Sequence, residues 1–310
     1  MNNLEPCNQI NLFGLNKFIN ELTSLDIKNI LPNKILLSGQ KGIGKATLAY
    51  HFINYVLSKN ENYKYNLKSY KIHPENHSFK TILNRSNPNF YLIDIDSEKK
   101  NIDIGQIRSL IRNLNKSSFN NKPRFVLIDN IEYLNINSIN SLLKILEEPT
   151  KQTHFILINN NKKILATLLS RCLNYKIFLS NKEMKFVSEK LINRNLKNVI
   201  NQDLISYYTT PGSIYYLSKF AEDNDLELGN FDLKSFIYLL LNNKYYKKDR
   251  LAKFLVFDLI ELYFNKINSS ISDKIYKKYS YFLKKISDTK KFNLDEEVLF
   301  LELEENMLNG

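Results

Sequence analysis

Lys34-Ile-Leu-Leu-Ser38, followed at once by Gly39-Gln-Lys-Gly-Ile-Gly-Lys45-Ala46-Thr47, is the stretch from which the fold is read. The short apolar run reads as a buried strand. Glycines at 39, 42 and 44 then let the backbone turn tightly with its N–H groups converging on one point. Lys45 adds a point charge where the β and γ oxygens of a nucleotide would lie. From Ala46 to Leu57 the pattern is helical, with Leu48, Ala49, Phe52, Ile53 and Val56 apolar. Strand, glycine loop and helix in that order are the context a phosphate-binding loop (P-loop) requires. Gly39, Gly42, Gly44, Lys45 and Thr47 are therefore candidate nucleotide-site residues. One position departs from the pattern. Ala46 stands where a Ser or Thr hydroxyl would bind Mg²⁺, and Thr47, one residue further along a helix, is rotated by about 100°.

Three more apolar runs follow: Phe90 to Ile95, Arg124 to Ile128, and His154 to Ile158. The second runs directly into Asp129 and the third into Asn159 and Asn160. Short continuous runs separated by helical stretches predict a parallel sheet covered on both faces, hence an α/β domain over residues 1–180. Asp129 ends its strand where a carboxylate could hold a metal's water shell, but the next residue is Asn130, an amide that cannot take a proton from water. After Ser180 the strand runs stop. Lys182 to Leu191 and Asp203 to Tyr208 read as short helices, Thr210-Pro211-Gly212 as a turn, and 231–242, 249–266, 270–287 and 294–308 as helices apolar around much of their circumference. A helical lid over 181–222 and an all-α domain over 223–310 are expected.

With 310 residues, 43% of them hydrophobic, the chain can bury the cores of two or three domains. Lys and Arg outnumber Asp and Glu by 44 to 32, a formal charge of +12 that favours acidic partners such as nucleic acid, although an Asn/Lys/Ile/Tyr-rich composition accounts for part of it. Cys7 and Cys172 are too few for a disulfide framework, which points to a reducing compartment. Pro74 between His73 and His77 argues against a zinc site there. No run approaches the roughly 18 apolar residues of a membrane span, so a cytoplasmic protein without a membrane partner is expected.

From Ser138 the chain reads Ser-Ile-Asn-Ser-Leu-Leu-Lys-Ile-Leu-Glu-Glu-Pro-Thr150, then His154-Phe-Ile-Leu-Ile-Asn-Asn160, then Leu168-Leu-Ser-Arg171-Cys172. This order resembles the clamp-loader branch of the AAA+ proteins, in which a "NALLKxLEEP" helix, a sensor strand and an "SRC" motif follow one another. Asn84-Arg-Ser-Asn-Pro-Asn-Phe-Tyr-Leu-Ile93 and Ile104-Gly-Gln-Ile-Arg-Ser-Leu110 look like the versions carried by the family's non-motor subunit. The resemblance covers roughly residues 30 to 180, and the remainder only by helical character.

The resemblance implies an AAA+ domain, a lid and a C-terminal collar. It also implies a sensor residue at Asn159 or Asn160, and a role for Arg171 as an arginine finger reaching the ATP of an adjoining subunit. A guanidinium offers a fixed fork of donors to charge gathering on a transferred phosphoryl group. Ser213 occupies the place where a second-sensor arginine is often found. Together with Ala46 and Asn130 it makes three departures from a working ATPase, and the four-cysteine zinc module of motor subunits is missing. A non-motor subunit of the bacterial DNA polymerase III loader is therefore expected, requiring no cofactor and no zinc, with ATP or ADP binding left open. Its implied partners are the gamma/tau and delta subunits, the sliding clamp and primer–template DNA. The alternative is an active P-loop ATPase of the gamma/tau or recombination-associated kind, in which Thr47 or a water replaces the hydroxyl.

Overall fold

The computed structural model describes residues 4–96, 99, 101–116, 120–147, 152–206, 209–247, 250–267, 280–286, 288–289 and 294–305. The chain divides into two compact units, Met1–Val187 with Thr210–Gly212, and Ser188–Thr209 with Ser213–Gly310.

In the first unit β1 (Lys34–Ser38), β2 (Phe90–Ile93), β3 (Arg124–Ile128), β4 (Thr153–Asn159) and β5 (Leu173–Lys176) form one parallel sheet in the order β2-β3-β4-β1-β5. Helices α1 (Asn16–Ile27), α2 (Lys45–Leu57), α3 (His77–Leu83), α4 (Ile104–Leu114), α5 (Ile136–Glu147) and α6 (Ala166–Leu169) accompany it. The apolar runs lack a polar alternation because both sheet faces are covered. Val126 and Ile128 join Ile107, Leu110, Leu142 and Leu146 of α4 and α5 in one core cluster. Phe125, whose side chain points to the opposite face, meets Phe52 of α2 edge-on at 6.1 Å. Asp103 and Gln106 close a reciprocal capping box at the start of α4, satisfying two backbone donors that the helix itself leaves free.

Sequence periodicity missed α1 and β5. β5 reads Leu-Asn-Tyr-Lys, an edge strand with three of its four residues exposed, so it carries no apolar run to announce it. β2 ends at Ile93 rather than Ile95.

The second unit holds α8 (Leu196–Val199), α10 (Leu233–Asn242), α11 (Arg250–Ile267), a helical stretch α12 over 280–286, and α13 (Glu296–Leu303); α7 (Asn181–Ile192) and α9 (Pro211–Asp223) each begin in the first unit and continue into it. Its core is aromatic: Phe300 packs on Tyr246 and Phe257, and Phe264 on Phe282. Asp203 explains why 188–209 joins the later helices, since its carboxylate accepts from Leu233 N–H at 2.9 Å and from Lys266 Nζ at 2.7 Å. Of the segment expected to be helical over 203–208, the described residues 203–206 hold only the end of a 3-10 turn, Gln202–Leu204. Residues 207–208, 249, 270–279, 287 and 306–308, also expected to be helical, lie outside the described residues. Thr210-Pro211-Gly212 is where a helix starts: Pro211 opens α9, a position where its missing N–H costs nothing.

The sheet fixes the glycine loop through close backbone contact. Ile177 N–H donates to Ser38 O at 2.7 Å and Gly39 N–H to Asn159 O at 3.2 Å, so the end of β1 is held from both sides. A Cβ on Gly39 would lie 2.4 Å from the Ile177 carbonyl oxygen. Gly39→Ala is therefore expected to destabilise the protein by about 2–3 kcal/mol, read as a lower midpoint of urea unfolding. A midpoint equal to wild type would show that the loop is not held this tightly.

Candidate functional site

Gly42 and Gly44 have φ of 84° and 93°, the left-handed region that favours glycine, and Gly44 immediately precedes α2. Lys45 is 3% exposed. Its Nζ donates to the carbonyls of Gly39 at 2.9 Å and Gln40 at 2.6 Å, so the ammonium is turned into its own loop. Burial pulls its pKa down to about 8, against the carboxylates of Asp129 and Glu132. Gly212 N–H donates to Gly42 O at 2.9 Å, and a Cβ on Gly212 would come within 2.8 Å of Gly42 Cα. Ala46 offers no hydroxyl, and Thr47 sits partly buried on α2. These residues fit a phosphate-shaped loop but do not supply the metal ligand of Mg²⁺-dependent hydrolysis.

Beyond the carboxyl ends of β2, β3 and β4 lies a chain of polar side chains. Asn130, itself left-handed at φ 56°, donates through Nδ2 to Asp94 Oδ1 at 2.8 Å and accepts at Oδ1 from Asn160 Nδ2 at 2.8 Å. Asn160 Nδ2 also donates to Glu132 Oε1 at 2.8 Å. An amide carries both a donor and an acceptor, which is what a position between an acid and another amide demands. Asp129 meets this chain through the backbone, its Oδ1 accepting from Asn130 N–H at 2.8 Å. Burial raises its carboxyl to about 7, the Asp94 carboxylate adds to the rise, and the Asn130 N–H and Lys45 oppose it.

Of the two sensor candidates, Asn160 faces Asn130. Asn159 is spent locally: its Nδ2 donates to Lys162 O, its Oδ1 accepts from Lys162 N–H, and its backbone carbonyl receives Gly39 N–H. The structure thus gathers Gly39, Gly42, Gly44, Lys45, Asp129 and the Asn159 backbone at one end of the sheet. Sequence reasoning missed Asp94 and Glu132. Both follow or border strand ends, and the acid after β2 was the one visible signal. Among the described residues no cluster of His, Cys, Asp and Glu is placed to hold a metal ion, and His73 stacks on Tyr63 at 4.3 Å.

Arg171 lies at the opposite end. The register pairs Leu173 with Ile35 and Lys176 with Ser38, so Arg171 precedes the start of β5 while the loop adjoins its finish. About 13 Å of strand separates Leu173 from Ile177. The Arg171 guanidinium donates to Thr167 O at 2.8 Å and pairs with Glu147 Oε1 at 2.6 Å, remaining one-third exposed. Leu165, Leu169 and Leu173 around it are 44%, 39% and 47% exposed. Cys172 is partly buried, and burial lifts its thiol to about 11, so it carries no thiolate at neutral pH. Glu148, Pro149 and Thr150 lie outside the described residues.

A parallel sheet in this order, with a phosphate loop after its β1, an acid after β3 and an arginine at the far end of β5, defines a P-loop protein of the AAA+ kind. A family model described as "DNA polymerase III, delta subunit" matches residues 14–180. This chain belongs to that family of bacterial DNA polymerase III clamp-loader proteins. It is 30% identical over 68% of its length to DNA polymerase III subunit delta' of Buchnera aphidicola subsp. Baizongia pistaciae, spanning 66% of that relative, just under two thirds. To the delta' subunit of Buchnera aphidicola subsp. Schizaphis graminum it is 28% identical over 82% of its length and 78% of the relative's. Among solved structures, a DNA polymerase III gamma-subunit-related protein of Thermotoga maritima aligns over 93% of this chain and 95% of its own, at 17% identity and a TM-score of 0.48.

Two outcomes test the site. A carboxyl whose folded pKa lies above its unfolded one binds more protons when folded, so Asp129 costs stability as pH climbs from about 4 through about 7. Asp129→Asn is expected to lose less Tm than wild type between about pH 5 and about pH 8; parallel curves would show that Asp129 is not buried as described. Asn130→Glu sets a carboxylate against Asp94 and removes the donor. It is expected to cost about 1–3 kcal/mol in thermal unfolding and to confer no ATP turnover on the isolated chain.

Proposed function

We propose that this chain is a non-motor subunit of the DNA polymerase III clamp loader that supplies Arg171 in trans to the ATP of an adjoining gamma/tau subunit and does not hydrolyse ATP itself. The carrying observation is the separation of Arg171 from its own phosphate loop by the length of β5. A guanidinium placed there can complete a phosphate site only in another molecule. The exposed leucines at 165, 169 and 173 support a protein surface at that point, since an interface core is apolar around its charged anchor. The loss of hydroxyl at Ala46 and of the general base at Asn130 supports the non-motor half of the reading.

On this reading the second unit packs with the other loader subunits, including delta. Leu294, Val298 and Leu301, spaced four and three residues apart beside and along α13, are each about half exposed and supply an apolar stripe for such contact. The assembly acts on the sliding clamp and on primer–template DNA in the cytoplasm. The formal charge of +12 and the exposed Arg108 and Arg112, one turn apart on α4, favour the DNA backbone as a partner. Loader reconstituted with Arg171→Ala is expected to assemble normally while DNA-stimulated ATP turnover and clamp loading fall by about 10-fold or more. Unchanged turnover in an assembled complex would eliminate the role. Brisk Mg²⁺-dependent hydrolysis by the isolated chain, abolished by Lys45→Ala, would establish the active-ATPase alternative instead.

A further inference from the structure

Arg171 does not stand alone on its surface. Its two terminal nitrogens are separately engaged, Nη1 with Thr167 O one helical turn back and Nη2 with Glu147 Oε1 at the end of α5, twenty-four residues away in sequence. The first bond ties the side chain to α6, and the second ties it to a different helix. A guanidinium has five N–H donors in one plane, so two such anchors fix the plane and its rotation while leaving further donors for another acceptor. An unanchored arginine samples many rotamers, each of which must be given up when it meets a phosphate.

We propose that Glu147 is a positioning residue for Arg171: it holds the guanidinium in the orientation that meets a neighbouring subunit's triphosphate. This rests on the trans role of Arg171 proposed above and adds to it the carboxylate that prepares the arginine. Two features favour positioning over restraint. The pair is half-exposed on the Glu147 side, at 53%, and exposed ion pairs are weak, so a polyanionic phosphate can draw on the remaining donors without an energetic penalty for breaking the anchor. Glu147 also takes only one edge of the fork, through a single oxygen, which leaves the guanidinium accessible. Because α5 begins just after the Asn130–Glu132 turn, and Asn135 Oδ1 accepts from Ser138 N–H at its start, the anchor refers Arg171 to the framework of the sheet rather than to its own short helix.

The test uses reconstituted loader carrying Glu147→Ala, Glu147→Gln or Arg171→Ala, with ATP turnover followed against ATP concentration, and 15N relaxation of the Arg171 Nε–H in the isolated chain. Glu147→Ala is expected to lower kcat about 10-fold at unchanged KM for ATP, and to increase guanidinium mobility. Glu147→Gln keeps an acceptor oxygen and is expected to restore most of kcat, which a role based on charge alone would not allow. If Arg171→Ala lowers turnover while Glu147→Ala matches wild type, the positioning role is overturned and the trans role stands. If Glu147→Ala turns over faster than wild type, the carboxylate restrains the arginine and the proposal is likewise overturned. No effect of Arg171→Ala overturns the trans role itself, and the Arg171 relaxation data then still report whether Glu147 orders the side chain.

Discussion

A lysine ammonium with almost no solvent contact must be surrounded by oxygen, and Lys45 meets that demand with the carbonyls of Gly39 and Gln40. This requirement sets the shape of the loop. Turning both carbonyls inward leaves Gly39 pressed between the ends of β4 and β5, with Asn159 O receiving its N–H and Ile177 O lying where a side chain would otherwise begin. The level of β5 against β1 follows from the same contacts. That level in turn decides where Arg171 emerges at the other end of the strand. A buried charge at one edge of the sheet and an exposed one at the other are thus placed by a single register.

The parts of the fold legible in the sequence were those whose chemistry is local. Four apolar runs became β1 to β4 because buried parallel strands need no alternation, and the glycine loop was visible in its spacing. β5 was invisible because an edge strand with exposed Leu173, Asn174 and Lys176 has the composition of a loop. Thr210-Pro211-Gly212 reads as a turn in sequence although Pro211 opens α9, because proline both interrupts a helix from within and suits its first turn, and only the tertiary position tells which applies. Asn159 and Asn160 could not be told apart, since adjacent side chains at the end of a strand point opposite ways and the register was unknown. Glu147 had no sequence signal linking it to Arg171. Their meeting depends on how α5 and α6 lie at the sheet, which no periodicity records.

Beyond β2, β3 and β4 the polar side chains form one hydrogen-bonded chain. Asn130 is set between Asp94 and Asn160 and uses a donor toward one and an acceptor toward the other. A glutamate there would face Asp94 with like charge, in a left-handed backbone conformation that asparagine tolerates better than most residues. The asparagine joins the strand ends in one chain from Asp94 through Asn160 to Glu132, and desolvation beside that chain raises the Asp129 carboxyl to about 7.

Glycine spacing alone therefore says little about nucleotide chemistry. Gly39 is required by the Ile177 carbonyl, Gly42 and Gly44 by their positive φ, and Gly212 by the backbone of Gly42 lying against it. None of these needs involves a phosphate. A loop of this form keeps its glycines for as long as the sheet keeps its register, whether or not anything is hydrolysed there. The discriminating positions are the ones the backbone leaves free to vary, the side chains of Ala46 and Asn130 at the loop and of Arg171 beyond it. They divide by location: Ala46 adjoins the loop, Asn130 bridges Asp94 and Asn160 beyond the strand ends, and the Arg171 guanidinium lies past the start of β5, one-third exposed.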